Sequence, residues 1–568
     1  MTVVPFGDYR PDLSDINSEH TALLSNVIPR GDGYGPFRNV ATFTDQLPAA
    51  CRGYFFASMA DGSVAIFAGT ETRLYLLDNT TMQWADVSKS GAAYASVDHD
   101  RHWKFAQFNN LVIAVQRNAE PQVYNLISST QFANLAGSPP QAGHVAVVNR
   151  FVVLCDLLEF PYRVQWSGLN DPTTWTPGVS YSDYQDLPTG GVPKMILGGE
   201  LGVIMQDTEI RRMLYAAGSD VVFQIDKVAD ATGIMSGTAA AAAANNRIYA
   251  YSTSGFISIG MDGSITPIGL ERIDRTFARL FYDDNSPKFL IAAADPQAGI
   301  VVWSYRSISA SPSVTGFDHL IAYDYNLQRW SPPIDIEGDF VASLAQPGLT
   351  LEGLDAVFPG AATVSNAASN GSGLVRLTVS STAGWATGDY KTISGVVGTI
   401  EANGTWPITV IDATHIDLEG SVFTNTYVSG GIVAGSIDAG EVSFDSFSTS
   451  TVAKLSIADS EHRIGFLNGS TLEARMSIPE SNLDAGYRVD INGMIPVTDA
   501  DVAYGYIASR NRASEAVSYS AEQQKNADGF IPSLVNARLG RATLRIPAGE
   551  LWTFATGIEP VFQRAGRY

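Results

Sequence analysis

An all-β propeller is the fold this sequence predicts, on three observations. A strand-turn-strand phrase recurs, most clearly as LYLLDNTTMQW (residues 74–84) and LIAYDYNLQRW (residues 320–330). In both, an apolar strand ends at an Asp, five residues follow, and a Trp opens the next strand as a packed anchor. Apolar strands upstream of the anchors start at Val64, Leu111, Phe151, Leu201, Arg247 and Ile300, so the steps between them are 47, 40, 50, 46 and 53 residues. With 52 Gly, 27 Pro and only 17% charged residues, the chain suits many turns between short strands rather than helices. A drifting period of about 40–50 residues built of short strands is the signature of propeller blades. The count is six blades, or seven.

Residues 1–53 hold Pro5, Pro11, Pro29, Pro36 and Pro48 with few strand patterns, and read as an extended arm lying over other surfaces. The first part of the propeller spans residues 54–359. Its weaker anchors are Phe132, Trp175 and Phe223, and FISIGMDGSIT repeats the strand-turn-strand rhythm around Ile265. In HWKFAQFNNLVIAV, Trp103, Phe105 and Phe108 alternate with polar residues and are expected in the core. The alanine run from Thr238 reads as an inner strand, where small side chains relieve crowding near the axis.

Composition shifts at about Gly360. To about Gly440 charges thin out and Thr, Val, Ile and Gly dominate, in short alternating runs broken by Gly, Asn and Asp. That pattern predicts a small β-barrel with its own core, inserted into a blade at residues 360–440. Residues 441–568 resume the blade rhythm with SIDAGEVSFDSF and HRIGFLNGSTLEARMSIP. Their later strands, ending near Arg538, Arg541 and Arg545, complete the last blade or form a sandwich-like terminal unit.

The formal charge is -22, from 36 basic and 58 acidic residues, which disfavours general binding to DNA or anionic membrane. The same sign suits a passage through which DNA slides without sticking. The N-terminus lacks a basic region followed by an apolar core, and no stretch reaches the roughly 18 apolar residues of a membrane helix, so a soluble protein is expected. Cys51 and Cys155, the two cysteines, are far apart and are expected as buried thiols.

Chemistry-bearing motifs are sparse. No dinucleotide, phosphate-loop, nucleophile-elbow or zincin pattern stands in a supporting context. His99, Asp100 and His102 in DHDRHW form the densest metal-like cluster, but on a strand such side chains project to opposite faces, and no metal is expected. The Asp-containing turns are similar to those of sialidases without the Ser and Gly of those boxes, and no arginine cluster accompanies them. Asp78 and Asp324 are therefore expected to accept backbone N–H bonds within their turns, with Trp84 and Trp330 buried between blades. No catalytic residue and no cofactor site is assigned.

Taken together, PDLSDINSEHTALLSNVIPRGDGYGPF, RHWKFAQFNNLVIAV, VQWSGLNDPTTW and RATLRIPAGELWTFATGIEP resemble the tail nozzle, or packaged-DNA stabilisation, proteins of short-tailed bacteriophages. The resemblance covers nearly the whole chain outside residues 360–440. The inserted stretch, with WATGDYKTISGVVGTIEANGTWPITVIDATHIDL, is similar to a half-domain module of ubiquitin-activating enzymes. It contains no cysteine, so that chemistry does not transfer.

The nozzle resemblance implies a non-enzymatic virion protein of the phage tail, assembled as a hexameric ring beneath portal and adaptor proteins. Such a ring retains the genome and passes viral DNA at ejection without binding it specifically. The arm and the arginine-bearing terminal strands would serve subunit contacts. The inserted domain would meet a tail fibre or spike protein, or a host surface glycan. The alternatives are a propeller that binds or cleaves carbohydrate on host surfaces and a cellular scaffold propeller.

Overall fold

The computed structural model describes residues 3–60, 62–79, 81–90, 93–98, 100–219, 221–346, 362–382, 385–435, 452–482, 484 and 487–566. The chain divides into two compact units, one of Met1–Leu77, Trp84–Ala345 and Val452–Tyr568, the other of Asp78–Gln83 with Gln346–Thr451.

In the first unit, seven antiparallel four-stranded sheets follow one another among the described residues. The strands recognised at Val64, Leu111, Phe151, Leu201, Arg247 and Ile300 are the second strands of blades one to six: Val64–Gly69, Leu111–Val115, Phe151–Leu157, Gly202–Gln206, Arg247–Ser252 and Ile300–Tyr305. They are almost wholly buried, having a blade on either face, which explains their uninterrupted apolar runs.

The seventh blade is assembled from distant parts of the chain. Its first strand is Gly338–Leu344; its second and third, Lys454–Asp459 and Ile464–Phe466, lie beyond the insertion; its fourth is Ala41–Thr42. An N-terminal strand thus closes the ring, with Gly465 opposite Thr42 and Phe466 opposite Ala41. The second strand of this blade starts 154 residues after that of blade six, so it falls outside a period of about 50.

The remaining strands of the first unit form a small parallel pair, Asp8–Tyr9 with His20–Thr21, and two larger sheets. One orders Ile531–Ala537, Arg488–Thr498, Ala555–Gly566, Gly33–Pro36 and Val27–Arg30, with Val4–Pro5 on Ala555–Gly566. The other runs Leu24–Ser25, Ala474–Ser477, Leu539–Ile546, Tyr504–Arg510 and Ser518–Tyr519, with Ser481–Asn482 and Gln523–Gln524 alongside. Of the two outcomes left open for the C-terminal strands, the structure takes the terminal unit. The last blade is completed by Ala41–Thr42 instead.

Residues 3–50 contribute strands to both terminal sheets and to blade seven, and their side chains are tied to the same chain. Asp8 pairs with Arg329 at 2.7 Å, Asp12 accepts from the Arg275 and Thr276 amides, and Asp15 pairs with Arg541 at 2.6 Å. Arg541 also lies 3.9 Å from Glu480, and Arg545 binds Glu473 and Glu522. These two arginines, expected to serve subunit contacts, already have carboxylate partners within the chain.

Core packing differs around the ring. Blades one and two enclose one cluster around Phe67, Trp103 and Phe132; blades two and three enclose another around Phe108, Val152 and Leu154; blades three and four enclose a third around Phe151, Trp166 and Phe223. From blade four to blade six the core is continuous with the terminal sheets, uniting Met205, Phe256, Trp303 and Trp330 with Phe6, Tyr34, Met476, Ile507 and Leu544.

In the second unit six strands close into a barrel, in the order Ala362–Ser369, Val375–Val379, His415–Leu418, Gly404–Asp412, Tyr390–Ser394 and Ile432–Gly435. Its own core holds Val375, Leu377, Ile393, Ile408, Ile416 and Leu418, all at or below 1% exposure. Arg376 forks across the barrel wall onto Asp417 at 2.5 and 2.8 Å. The phrase SIDAGEVSFDSF and His99 lie outside the described residues.

Candidate functional site at the propeller axis

The first strands of the blades are neighbours in a ring and surround one cavity of about 310 Å³, to which all seven contribute. Phe55, Phe105, Leu197, Ala241, Ala293 and Phe340 line it, each from a different blade. The alanine run places Ala240–Ala242 here as an inner strand, as its small side chains predict. Phe105, expected in the core with Trp103 and Phe108, packs against the cluster around Trp103 and also lines the cavity, stacking on Phe55 at 6.0 Å.

Where the first strands begin, a second cavity of about 180 Å³ shares Lys104, His144 and Thr238 with the first. Arg101, His102, Lys104, His144, Lys194 and Asp156 supply its charge and hydrogen-bonding groups. Arg101 and Lys104 come from the start of blade two and Lys194 from that of blade four. No local motif announces them.

Most of these groups have partners. Arg101 forms an ion pair with Asp156, whose second oxygen is 3.7 Å from the Arg117 Nε. Asp156 is 1% exposed and holds a backbone φ of +56°, a left-handed conformation inside a strand. Lys194 reaches Asp207 at 2.7 Å and the Met235 carbonyl at 3.4 Å. His102 Nε2 is 2.7 Å from the Lys288 carbonyl, and the ring sits edge-on to Phe340 at 5.0 Å. Burial holds both His102 and His144 well below the ordinary imidazole range, so both are neutral at pH 7.

Of the residues singled out in the sequence, Asp100 and His102 line this cavity and the others fall elsewhere. His102 is drawn away from any metal cluster by its bonds to Lys288 and Phe340, and among the described residues no group of three or more His, Cys, Asp or Glu side chains could hold a metal ion. Asp324 Oδ1 accepts from the amides of Asn326 and Leu327 at 2.9 and 2.8 Å, and Asp78 Oδ1 from that of Thr81 at 3.3 Å, the turn role expected of them. Trp330 is buried and donates to the Ile268 carbonyl at 2.9 Å. Trp84, expected to be buried, is only half so and donates to the Asp45 carbonyl. Trp175 is buried but starts no strand; it stands in the long connection between the third and fourth strands of its blade, bonded to the Pro172 carbonyl. Cys51 and Cys155 are buried free thiols, and burial pushes both far above the ordinary thiol range.

No family model matches the chain, and no curated protein matches it. Solved structures similar to it include the RRP9 WD40 repeats, at 9% identity over 61% of this chain and 92% of that one, with a TM-score of 0.33. The β-propeller domain of Myceliophteria thermophila Cps50 (Swd1) is similar at 9% identity over 53% and 92%, with a TM-score of 0.33. The dihydro-heme d1 dehydrogenase NirN is similar at 13% identity over 69% and 80%, with a TM-score of 0.30.

Proposed function

We propose that this chain is a structural virion protein of a short-tailed phage, a wall segment of the distal tail nozzle that assembles as a ring, retains the genome and passes it at ejection. The observation that carries the reading is the meeting of its two terminal phrases. Residues 11–37 and 541–560, which bear much of the resemblance to nozzle proteins, lie at opposite ends of the chain and fold into shared sheets. Tyr34 stands opposite Ala555, Arg30 donates to the Thr553 carbonyl, and Asp15 pairs with Arg541. A propeller whose core runs on into such a clasp is a stiff block, which a conduit wall requires. The charge of -22 suits a passage that does not grip phosphates.

Electron microscopy of purified particles labelled with antibody to this chain tests the reading. Label at the distal tail around a central channel is the expected result. Absence from particles overturns it, and release of reducing sugar from host polysaccharide by the purified chain would favour the carbohydrate reading in its place. The inserted unit is assigned an adhesive role. Deleting residues 360–440 should leave particle assembly intact and impair adsorption; normal infection by the deletion would remove that role.

A further inference from the structure

The axial mouth holds a cation without a counter-charge. Among the described residues Lys104 forms no hydrogen bond and no ion pair, although it lines both cavities. Asp100 and Asp156 line the smaller cavity with it, but neither forms an ion pair with it. Asp156 is shared between Arg101 and Arg117, and Asp207 is engaged by Lys194. Two further polar groups are unsatisfied at the same place: His102 and His144 are 3% and 6% exposed, and the Nδ1 atom of each is buried without a partner. Lys104 is half-buried, and an ammonium in a cavity with no counter-charge opposite it has donors free for a ligand. Lys194, with one contact to a carboxylate and one to a carbonyl, still has a third N–H to give.

We propose that the axial mouth binds a small oxyanion, a phosphate or carboxylate group of a free solute, held by the Lys104 ammonium with Lys194 and His144 as neighbouring donors. The cavity of about 180 Å³ has room for a group of this size. A cationic or apolar ligand would leave Lys104 as uncompensated as it is now. Burial alone pushes Lys104 down to about 7, with no carboxylate opposing the shift, and an anion beside it would restore its charge. The inference is independent of the nozzle reading.

Isothermal titration calorimetry at neutral pH, with inorganic phosphate in one arm and succinate in the other, tests it on the full chain. The expected result is one site per chain for at least one anion. Affinity should fall at least tenfold in Lys104→Met and stay unchanged in the control Lys89→Met, which alters an exposed lysine. Binding by phosphate alone, or by succinate alone, identifies the preferred group. No binding at millimolar anion, or equal binding in Lys104→Met, overturns the proposal. Thermal unfolding supplies a second reading that does not depend on affinity. Without anion, Lys104→Met should melt at or above the wild-type temperature, because no ion pair or hydrogen bond is lost with the ammonium; a clear fall would show that Lys104 serves the fold and would overturn the assignment.

Discussion

Trp84 and Trp330 occupy the same place in the same phrase, yet one is half-buried and the other is 2% exposed. Both follow an Asp-capped turn and both donate the indole N–H to a backbone carbonyl. What separates them is the covering. The outer strand of blade six, Arg329–Trp330, lies beside the N-terminal strands Asp8–Tyr9 and Val27–Arg30, and Trp330 joins Phe256, Trp303 and Tyr323 at centroid distances of 4.7, 5.7 and 4.9 Å. Hairpin chemistry places the anchor; strands recruited from elsewhere in the chain decide how much stability it supplies.

The contrast breaks most readily at its buried end. Trp330→Ala should cost about 3–5 kcal/mol, since it empties a close-packed aromatic site. Because that core is continuous with the terminal sheets, urea unfolding followed by fluorescence and by circular dichroism should shift together; a terminal unit that melts separately would show the core to be divided.

Next comes the ionic side of the clasp. Arg541 and Asp15 are 14% and 13% exposed, so Arg541→Ala leaves the Asp15 carboxylate unpaired, while Glu480 keeps Arg510 at 2.5 Å, and should cost roughly 3 kcal/mol. Limited proteolysis should then cut the N-terminal segment first. An unchanged digestion pattern would mean that the sheet pairing alone holds it.

A smaller effect is expected from pH. Burial pulls His319 down, but Asp318 at 3.1 Å and Asp335 at 3.2 Å outweigh it and raise the imidazole to about 9. Asp335 in turn bonds Asn26 of the N-terminal segment, so blade six and the clasp share this contact. A folded-state value above the ordinary 6.5 means that the stabilisation is complete below pH 6.5 and fades as pH rises to about 9. The loss should be roughly 2–3 kcal/mol across that window. His319→Asn should flatten this part of the stability profile; an unchanged slope would assign it to another group.

The smallest change is expected at the bare end. Trp84→Ala should cost about 1 kcal/mol or less, because much of the ring already meets water. A loss equal to that of Trp330→Ala, read by the same urea titration, would abolish the distinction between bare and clasped blades.

What could be read from the sequence follows the range of the forces involved. Blades one to six announce themselves because each second strand is packed on both faces and must be apolar throughout. The alanine run declares its place for the related reason that only small side chains fit near the axis. Blade seven is left open in the count, since its second strand is displaced by the insertion and its fourth is Ala41–Thr42, two residues with no pattern of their own. The N-terminal segment looks like a free arm because its strands are two to four residues long, too short for periodicity to register. The axial donors are hidden for another reason. Lys104, His144 and Lys194 are single residues on three strands, each unremarkable alone, and only ring closure brings them together.

The strand Ala41–Thr42 also sets the order of events during synthesis. It leaves the ribosome early, but its partner Ile464–Phe466 emerges more than 400 residues later. At about 5–20 residues per second, the wait is on the order of 20–90 seconds. Until then the nascent ring stays open, so blades one to six must hold by their own contacts, and closure becomes a late step of synthesis.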